Sequence, residues 1–332
     1  MSNIRAKASK LTLPLEYPLT ITRGTTTDSE TVIVRVQSDG YEGVGECAPI
    51  PRYDETVDSV LAFYERRFAK PVETTSMDGI LADVPPGARC GLDLALHDLL
   101  GKRLGAPLWD VFGLDPRGIP LTSFTIYIND IGATLELVRA HHDAPVLKIK
   151  LGTGSEIETI EAIRSTYGGA IRVDANEGWS PESAVQILRE LERFEIEFCE
   201  QPIPAGAPEQ LRWVSDRTRI PIVVDEDSIM ARDLPVLAGC VDGINIKLAK
   251  CGGLREAIAM VHTARALGLK TMLGCMTESS VLITAAAHLA PMVDWVDLDG
   301  NLFLARDPFV GVTHESGNLT LPDRPGLGIL ES

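Results

Sequence analysis

From about residue 120 onward, short β-branched runs alternate with helical stretches, and this alternation constrains the fold more than any other feature of the chain. The runs are VLKIKL, AIRVDA, IEFCE, IPIVVD, GINIKL, KTMLG and DWVDLD. They are nearly continuous in apolar character, as parallel strands covered on both faces are. Between them Ile157, Ile160, Ile163 and Tyr167 form one helical stripe, and Leu254, Ala257, Ile258 and Val261 form another. Ionisable residues close six of the runs, at Lys150, Asp174, Glu200, Asp225, Lys247 and Asp297. By subtraction the first four gaps are 24, 26, 25 and 22 residues, and the last is 50 with KTMLG inside it. Each single gap is the length of one strand–helix unit. In a closed parallel barrel, groups at successive strand ends converge on one mouth, where barrel enzymes carry out their chemistry. The expectation is an α/β chain with a TIM-like barrel.

The region before residue 115 reads differently. TVIVRV at 31–36 is strand-like, and another strand is expected before it. The polar, glycine-containing ITRGTTTDSE between them predicts a mobile loop, and GECAPIPRYDET predicts a second. In ARCGLDLALHDLLGKRLG, Leu92, Ala95, Leu96, Leu99 and Leu100 predict a helix with one apolar face. We therefore expect an α+β capping domain over 1–115 and a barrel over 116–309, with the tail from about 310–332 returning to the cap. A chain of 332 residues, 45% hydrophobic, has the length and apolar content for both cores.

The net charge of −16 repels phosphate backbones and anionic membranes, so neither a nucleic-acid nor a membrane partner is expected. The six cysteines are scattered without metal-like spacing, which suits free thiols in a reducing compartment. The first residues lack the apolar run of a secretory signal, and Val281–Val293 is too short to span a bilayer. A cytoplasmic location is expected.

Side chains two apart on a strand share a face. Leu147, Ile149 and Leu151 then face the helices, which turns Lys148 and Lys150 inward. The same parity pairs Asp174 with Asn176, Asn245 with Lys247, Asp297 with Asp299, and Asp225 with Asp227. Inward charges on apolar strands cost stability unless they are paired or bind something. Asp174, Glu200 and Asp225 would form an oxygen-rich cage for a hard divalent cation, Mg²⁺ or alternatively Mn²⁺. No histidine joins the pattern, which disfavours zinc. A cation there could hold a substrate carboxylate while Lys150 and Lys247 remove and return the proton on the adjacent carbon. One lysine must then be neutral, and desolvation, Lys148 and the cation would all lower its pKa.

Taken together, KIK at 148–150, DANEGW at 174–179, EQP at 200–202, DED at 225–227 and NIKLAKCGG at 245–253 resemble the enolase superfamily, muconate-lactonizing-enzyme subgroup. ALHDLLGKRLGAPL and the terminal PGLGI extend the resemblance over nearly the whole chain. It implies a modified (β/α)7β barrel under an α+β cap, Mg²⁺ on Asp174, Glu200 and Asp225, and general bases Lys150 and Lys247. Lys148 would help stabilise an enolate. Asn176, Glu226 and Asn245 are expected to stand behind these groups and hydrogen-bond to them.

Within the subgroup, DLDG at 297–300 resembles the aspartate pair with which dipeptide epimerases hold an ammonium group. Arg23 in ITRGTTT is similar to an arginine that meets a glutamate side chain. The implied partner is a small dipeptide, and the implied reaction is an isomerisation by 1,1-proton transfer between L-Ala-L-Glu and L-Ala-D-Glu, in cell-wall peptide recycling. Loops around 20–30 and 47–56 would close over the site. Where the family carries Ser after its Asp-Glu pair, this chain has Asp227, expected to point inward and alter the hydrogen bonding around the metal. TESS at 277–280 has no assigned contact. Barrels of this type often self-associate, so a homo-oligomer is compatible with the reading. Three alternatives stay open: an o-succinylbenzoate synthase or muconate cycloisomerase reaction on the same scaffold, a Schiff-base aldolase using Lys247, and a non-catalytic binding protein.

Overall fold

In the first hundred residues β1 (Arg5–Ile21), β2 (Gly24–Ser38) and β3 (Tyr41–Cys47) form an antiparallel sheet, followed by α1 (Val57–Arg67), α2 (Met77–Leu81) and α3 (Pro86–Leu104). The structure is a computed structural model that describes residues 3–74 and 76–332. The segment expected to be a mobile loop is instead the end of a long hairpin. Ile21 pairs with Gly24, Thr20 with Thr25 and Leu19 with Thr26, leaving Thr22 and Arg23 as the turn. Its run of β-branched threonines prefers the extended state, and Gly24 at φ 143° takes the backbone conformation that closes the turn.

A short helix, α4 (Leu108–Val111), leads into eight parallel strands. These are β4 (Phe124–Ile126), β5 (Val146–Lys150), β6 (Ala170–Asp174), β7 (Ile196–Glu200), β8 (Ile222–Val224), β9 (Gly243–Ile246), β10 (Lys270–Gly274) and β11 (Trp295–Asp297). They hydrogen-bond in chain order, and a parallel bridge between Thr122 and Val296 closes the ring. The strand β4 is absent from the sequence reading because three residues are too short to show a pattern.

The connections carry α5 (Ile131–Ala140), α6 (Glu156–Arg164), α7 (Pro181–Leu191), α8 (Pro208–Ser215), α9 (Leu248–Cys251), α10 (Leu254–Ala266) and α11 (Ser280–Ala287). Between β8 and β9 a 3-10 turn over Ala231–Val236 replaces a full helix. Among the described residues, no helix is long and apolar enough to cross a membrane.

The barrel interior is layered. Phe198, Val223, Met272 and Trp295 form an apolar floor, with the Arg172 guanidinium 5.3 Å from the Phe198 ring centre. Two residues further along the same strands stand Glu200, Asp225, Gly274, Asp297 and Asp174. The period of two thus converts an apolar floor into a charged mouth.

The helix α3 departs from the one-faced expectation. Leu92, Leu94, Leu96 and Leu99 are buried, but so are Asp93, His97 and Asp98 on the other sides. Its backbone rests on β3 so closely that a Cβ at Gly43 or Gly45 would lie 2.0 or 2.1 Å from the carbonyl oxygens of Ala95 and Gly91. Its opposite side meets the barrel, where Asp93 accepts from the backbone N–H of Leu254 at 2.6 Å and so caps α10. Layers on two sides bury a helix whose sequence shows a single stripe.

The tail holds two small antiparallel sheets, the hairpin of β13 (Thr313–Glu315) with β14 (Asn318–Thr320) and, outside it in the chain, β12 (Phe309–Val310) paired with β15 (Leu330–Glu331). It reaches α3, where the N–H of Leu327 donates to Asp98 at 2.8 Å.

Candidate active site

The strand β5 brings Lys148 and Lys150 to the mouth. The Lys148 ammonium is buried, 2.7 Å from Glu200 Oε2, 2.7 Å from Asp297 Oδ2 and 3.3 Å from Asp174 Oδ2. Lys150 lies 2.6 Å from Asp174 Oδ2, and Lys247, one residue past β9, lies 2.9 Å from Asp225 Oδ2. A fourth lysine, Lys250 on α9, bonds to Asp225 Oδ1. Sequence parity missed Lys250, because a period-two pattern ends where the strand does.

The electrostatics follow from that pairing. Burial alone would lower Lys148, but Asp297, Glu200 and Asp174 hold it well above the usual lysine range. Burial likewise opposes the charge on Lys247, and Asp225 and Glu200 outweigh it, so its pKa is raised. Lys148 acts on Lys247 in the lowering direction, but less strongly than these two carboxylates act in the raising one. Burial would raise Asp174, yet Lys150 and Lys148 bring it down to about 2. Asp225, despite burial, is held well below the carboxylate range by Lys247 and Lys250. Glu200 goes the other way, pushed up by burial and by Asp174 beside it.

These groups suit a hard cation. Asp174 and Glu200 are register partners on adjacent strands, and Asp225 lies one residue past the end of the next strand. Among the described residues no three acidic, histidine or cysteine side chains already surround one point as a finished cage. Each carboxylate is turned to a lysine instead. The donors are nevertheless all oxygen and buried, and Glu200 Oε2 makes no hydrogen bond of its own despite its contact with Lys148. Asn176 donates to Asp174 through its backbone at 2.8 Å and its amide at 3.3 Å, and Asn245 donates to Glu200 Oε1 at 2.8 Å.

Above the lysines lies a cavity of about 340 Å³. Lys148, Lys150, Lys247, Asp297, Asp299, Asn176 and Arg23 all line it. Asp297 accepts from Ser123 Oγ at 2.5 Å, and Asp299 from the N–H of Thr125 at 2.6 Å. Burial and the neighbouring Asp297 raise Asp299 to about 7, whereas Lys148 outweighs burial at Asp297 and lowers it. The hairpin contributes Leu19 and Ile21, and the segment after β3 contributes Ala48, Pro49 and Ile50.

Arg23 reaches the cavity but is not a free guanidinium. Its Nη1 donates to Glu226 Oε1 at 2.8 Å and Glu177 Oε2 at 3.1 Å. Glu226 therefore supports Arg23 rather than the carboxylate cluster; burial and Asp225 raise it to about 7. Glu177 also meets Arg52 at 2.7 Å, so one carboxylate holds both segments that overhang the mouth. Asp227 does not follow the inward parity. The strand β8 stops at Val224, and Asp227 turns aside to accept from Gln201 Nε2 and the N–H of Gly206, both at 2.8 Å. Within TESS, Ser279 donates to the buried Glu46 of β3 at 2.6 Å, so that segment ties cap to barrel. Glu177, Gln201 and Glu46 stand within DANEGW, EQP and GECAPIPRYDET, but the sequence assigns them no contact, because their partners lie far away in the chain.

Comparison with known proteins agrees with this architecture. Residues 3–113 match the mandelate racemase / muconate lactonizing enzyme N-terminal domain, and residues 132–330 match the enolase C-terminal domain-like family. The chain is 38% identical to an L-Ala-D/L-Glu epimerase of Bacteroides thetaiotaomicron, over 96% of this chain and 86% of that one. It is 39% identical to a hydrophobic dipeptide epimerase of Roseobacter litoralis, over 95% and 96%. The crystal structure of a dipeptide epimerase from Enterococcus faecalis V583, complexed with Mg and L-Leu-L-Tyr, superposes with a TM-score of 0.93 at 31% identity, over 99% of both chains. With both domain models matched and relatives aligned along almost its full length, the chain belongs to the enolase superfamily, in the branch of mandelate racemase and muconate lactonizing enzyme.

Proposed function

We propose that this protein is a Mg²⁺-dependent dipeptide epimerase that inverts the α-carbon of the C-terminal residue. Its first substrate pair would be L-Ala-L-Glu and L-Ala-D-Glu. The observation that carries the reading is one cavity lined by Lys150, Lys247, Asp297, Asp299 and Arg23 together. Asp297 and Asp299 receive the dipeptide's ammonium by charge-assisted hydrogen bonds. That contact fixes the α-carbon over the lysines. One of Lys150 and Lys247 takes the α-proton and the other returns it from the opposite side. Mg²⁺ held by Asp174, Glu200 and Asp225 would bind the substrate carboxylate and take up negative charge as the proton leaves. Lys148 lends positive charge to the same oxygen atoms. The lyase and cycloisomerase alternatives leave the acidic pair without an ammonium to hold.

A hydrophobic second residue is a competing specificity within this activity. It is favoured by the engagement of Arg23 with Glu226 and Glu177, and by the apolar wall of Leu19, Ile21, Ala48, Pro49 and Ile50. Six free cysteines suit a reducing compartment, so we place the enzyme in the cytoplasm, recycling cell-wall peptides. Mn²⁺ is expected to substitute for Mg²⁺ on the same oxygen donors.

Proton NMR in D₂O with Mg²⁺ tests the activity, using L-Ala-L-Glu beside L-Ala-L-Leu and L-Ala-L-Lys. The expected result is loss of the C-terminal residue's α-proton signal as the L,D diastereomer grows. Faster exchange with L-Ala-L-Leu assigns the apolar specificity. Silence across the panel, with Mg²⁺ bound, overturns the epimerase reading.

A further inference from the structure

Gln201 occupies an unusual place between the candidate ligand strands. It is fully buried and adopts φ 34°, a left-handed backbone that non-glycine residues rarely take. Its N–H donates to the carbonyl of Val223, and its own carbonyl accepts from the N–H of Glu177, both at 2.9 Å. The side-chain amide is equally engaged. Oε1 accepts from the N–H groups of Asp225 and Glu226 at 2.9 and 3.0 Å. Nε2 donates to the carbonyl of Ile203 at 3.0 Å and to Asp227 Oδ2 at 2.8 Å. The other oxygen of Asp227 accepts from the N–H of Gly206.

These bonds have a direction. Backbone N–H groups can only donate, so the amide oxygen must face Asp225 and Glu226, which leaves the amide nitrogen to face Asp227. An ionised carboxylate there is an acceptor only, and a charge-assisted partner holds the amide more firmly than a neutral one. Through Gln201, Asp227 therefore anchors the backbone at Asp225, beside Lys247, and at Glu226, which grips Arg23. We infer that Asp227 and Gln201 are positioning residues, forming a relay that sets Asp225 for divalent-cation binding and Glu226 for its hold on Arg23. The inference rests on the reading of Asp225 as a metal ligand.

The test uses the full chain without dipeptide and Mg²⁺ alone, titrated calorimetrically. Wild type is compared with Asp227→Ala, Asp227→Asn and Asp225→Asn, each with a thermal melt. Groups that orient ligands typically change metal affinity about 10–100-fold when removed. Asp227→Ala is expected to weaken Mg²⁺ binding within that range. Asp227→Asn keeps a neutral acceptor oxygen for Gln201 but turns its amide nitrogen towards the N–H of Gly206, so it should recover part of the loss. If Asp227→Ala does not fold, Asp227→Ser carries the test, since its hydroxyl is too short to reach both Gln201 and Gly206. Mg²⁺ affinity within twofold of wild type in Asp227→Ala or Asp227→Ser, while Asp225→Asn loses binding, overturns the relay alone. Unchanged binding in Asp225→Asn overturns the ligand assignment beneath it.

Discussion

Replacing Lys148 with methionine, a side chain of similar length without charge, isolates what one ammonium does among three carboxylates. The nitrogen is almost wholly buried and lies within 3.3 Å of Glu200, Asp297 and Asp174. Removing one partner of a buried ion pair leaves uncompensated charge and costs about 3–5 kcal/mol. Unfolding entropy of roughly 2.1 cal/mol/K per residue over 332 residues converts that to a fall in Tm of ~4–7 °C. The pH dependence has a definite sign. Lys148 has a raised pKa in the folded chain, so its contribution is complete below the ordinary lysine pKa and is lost only as pH climbs through the folded value. Asp174 and Asp297 are lowered, so theirs persists down to acid pH. Neither aspartate therefore makes wild-type stability depend on pH between 5 and 8, whereas Glu200, raised in the folded chain, costs stability as pH climbs through its folded value. In the variant the carboxylates lose a counter-charge and their pKa values rise. Protonation then relieves the repulsion, and the Tm deficit shrinks as pH falls from 8 to 5. Saturating Mg²⁺ should raise the variant's Tm by more than the wild type's, because the cation no longer competes with Lys148 for Glu200. Calorimetric melts at the two pH values, with and without Mg²⁺, check both points. A deficit independent of pH, or equal Mg²⁺ shifts, would refute the electrostatic account.

Three more outcomes are expected. A Cβ at Gly274 would lie 2.5 Å from Asn245 Oδ1, so Gly274→Ala should push that amide off Glu200 and weaken Mg²⁺ binding about 10–100-fold, read by calorimetry. Affinity equal to wild type would remove Asn245 from the account. With Asp299 raised to about 7, a dipeptide ammonium binding at pH 6 should displace a proton from it, and at pH 8.5 almost none. Titrations in buffers of different ionisation enthalpy count that proton, and an undiminished count in Asp299→Asn rules out Asp299 as its source. Lys150→Met and Lys247→Met should each lose at least ~10²-fold in epimerisation while retaining α-proton exchange with opposite diastereomers. Exchange of both diastereomers by either variant contradicts the two-base scheme.

Lys150, Asp174 and Glu200 were legible in the sequence because each stands on the last residue of its strand, where parity still governs direction. Asp225 and Lys247 lie one residue beyond and kept their direction. By Asp227 and Lys250 the chain has turned or begun a helix, and alternation no longer says where a side chain goes. The hairpin over residues 19–26 looked like a loop because its polar surface imitates one, while its threonines pair across the turn. The helix α3 showed one apolar stripe, yet polar residues can be buried where a second layer supplies partners, as Leu254 does for Asp93. Long-range partners such as Glu46 with Ser279 leave no local pattern at all.

The bond between Leu327 and Asp98 spans 229 residues. At roughly 5–20 residues per second, a ribosome takes about 10–50 s to cross that interval. Throughout it, the emerging amino-terminal unit carries a buried-to-be aspartate with only Val44 and Lys102 to satisfy it. Its α3 also presents to solvent the side that will later lie against α10. Until Leu327 is made, one of the donors to Asp98 is missing. Removing the segment that carries Leu327 would therefore destabilise α3, 229 residues away in the chain, although every residue lining the catalytic mouth is retained.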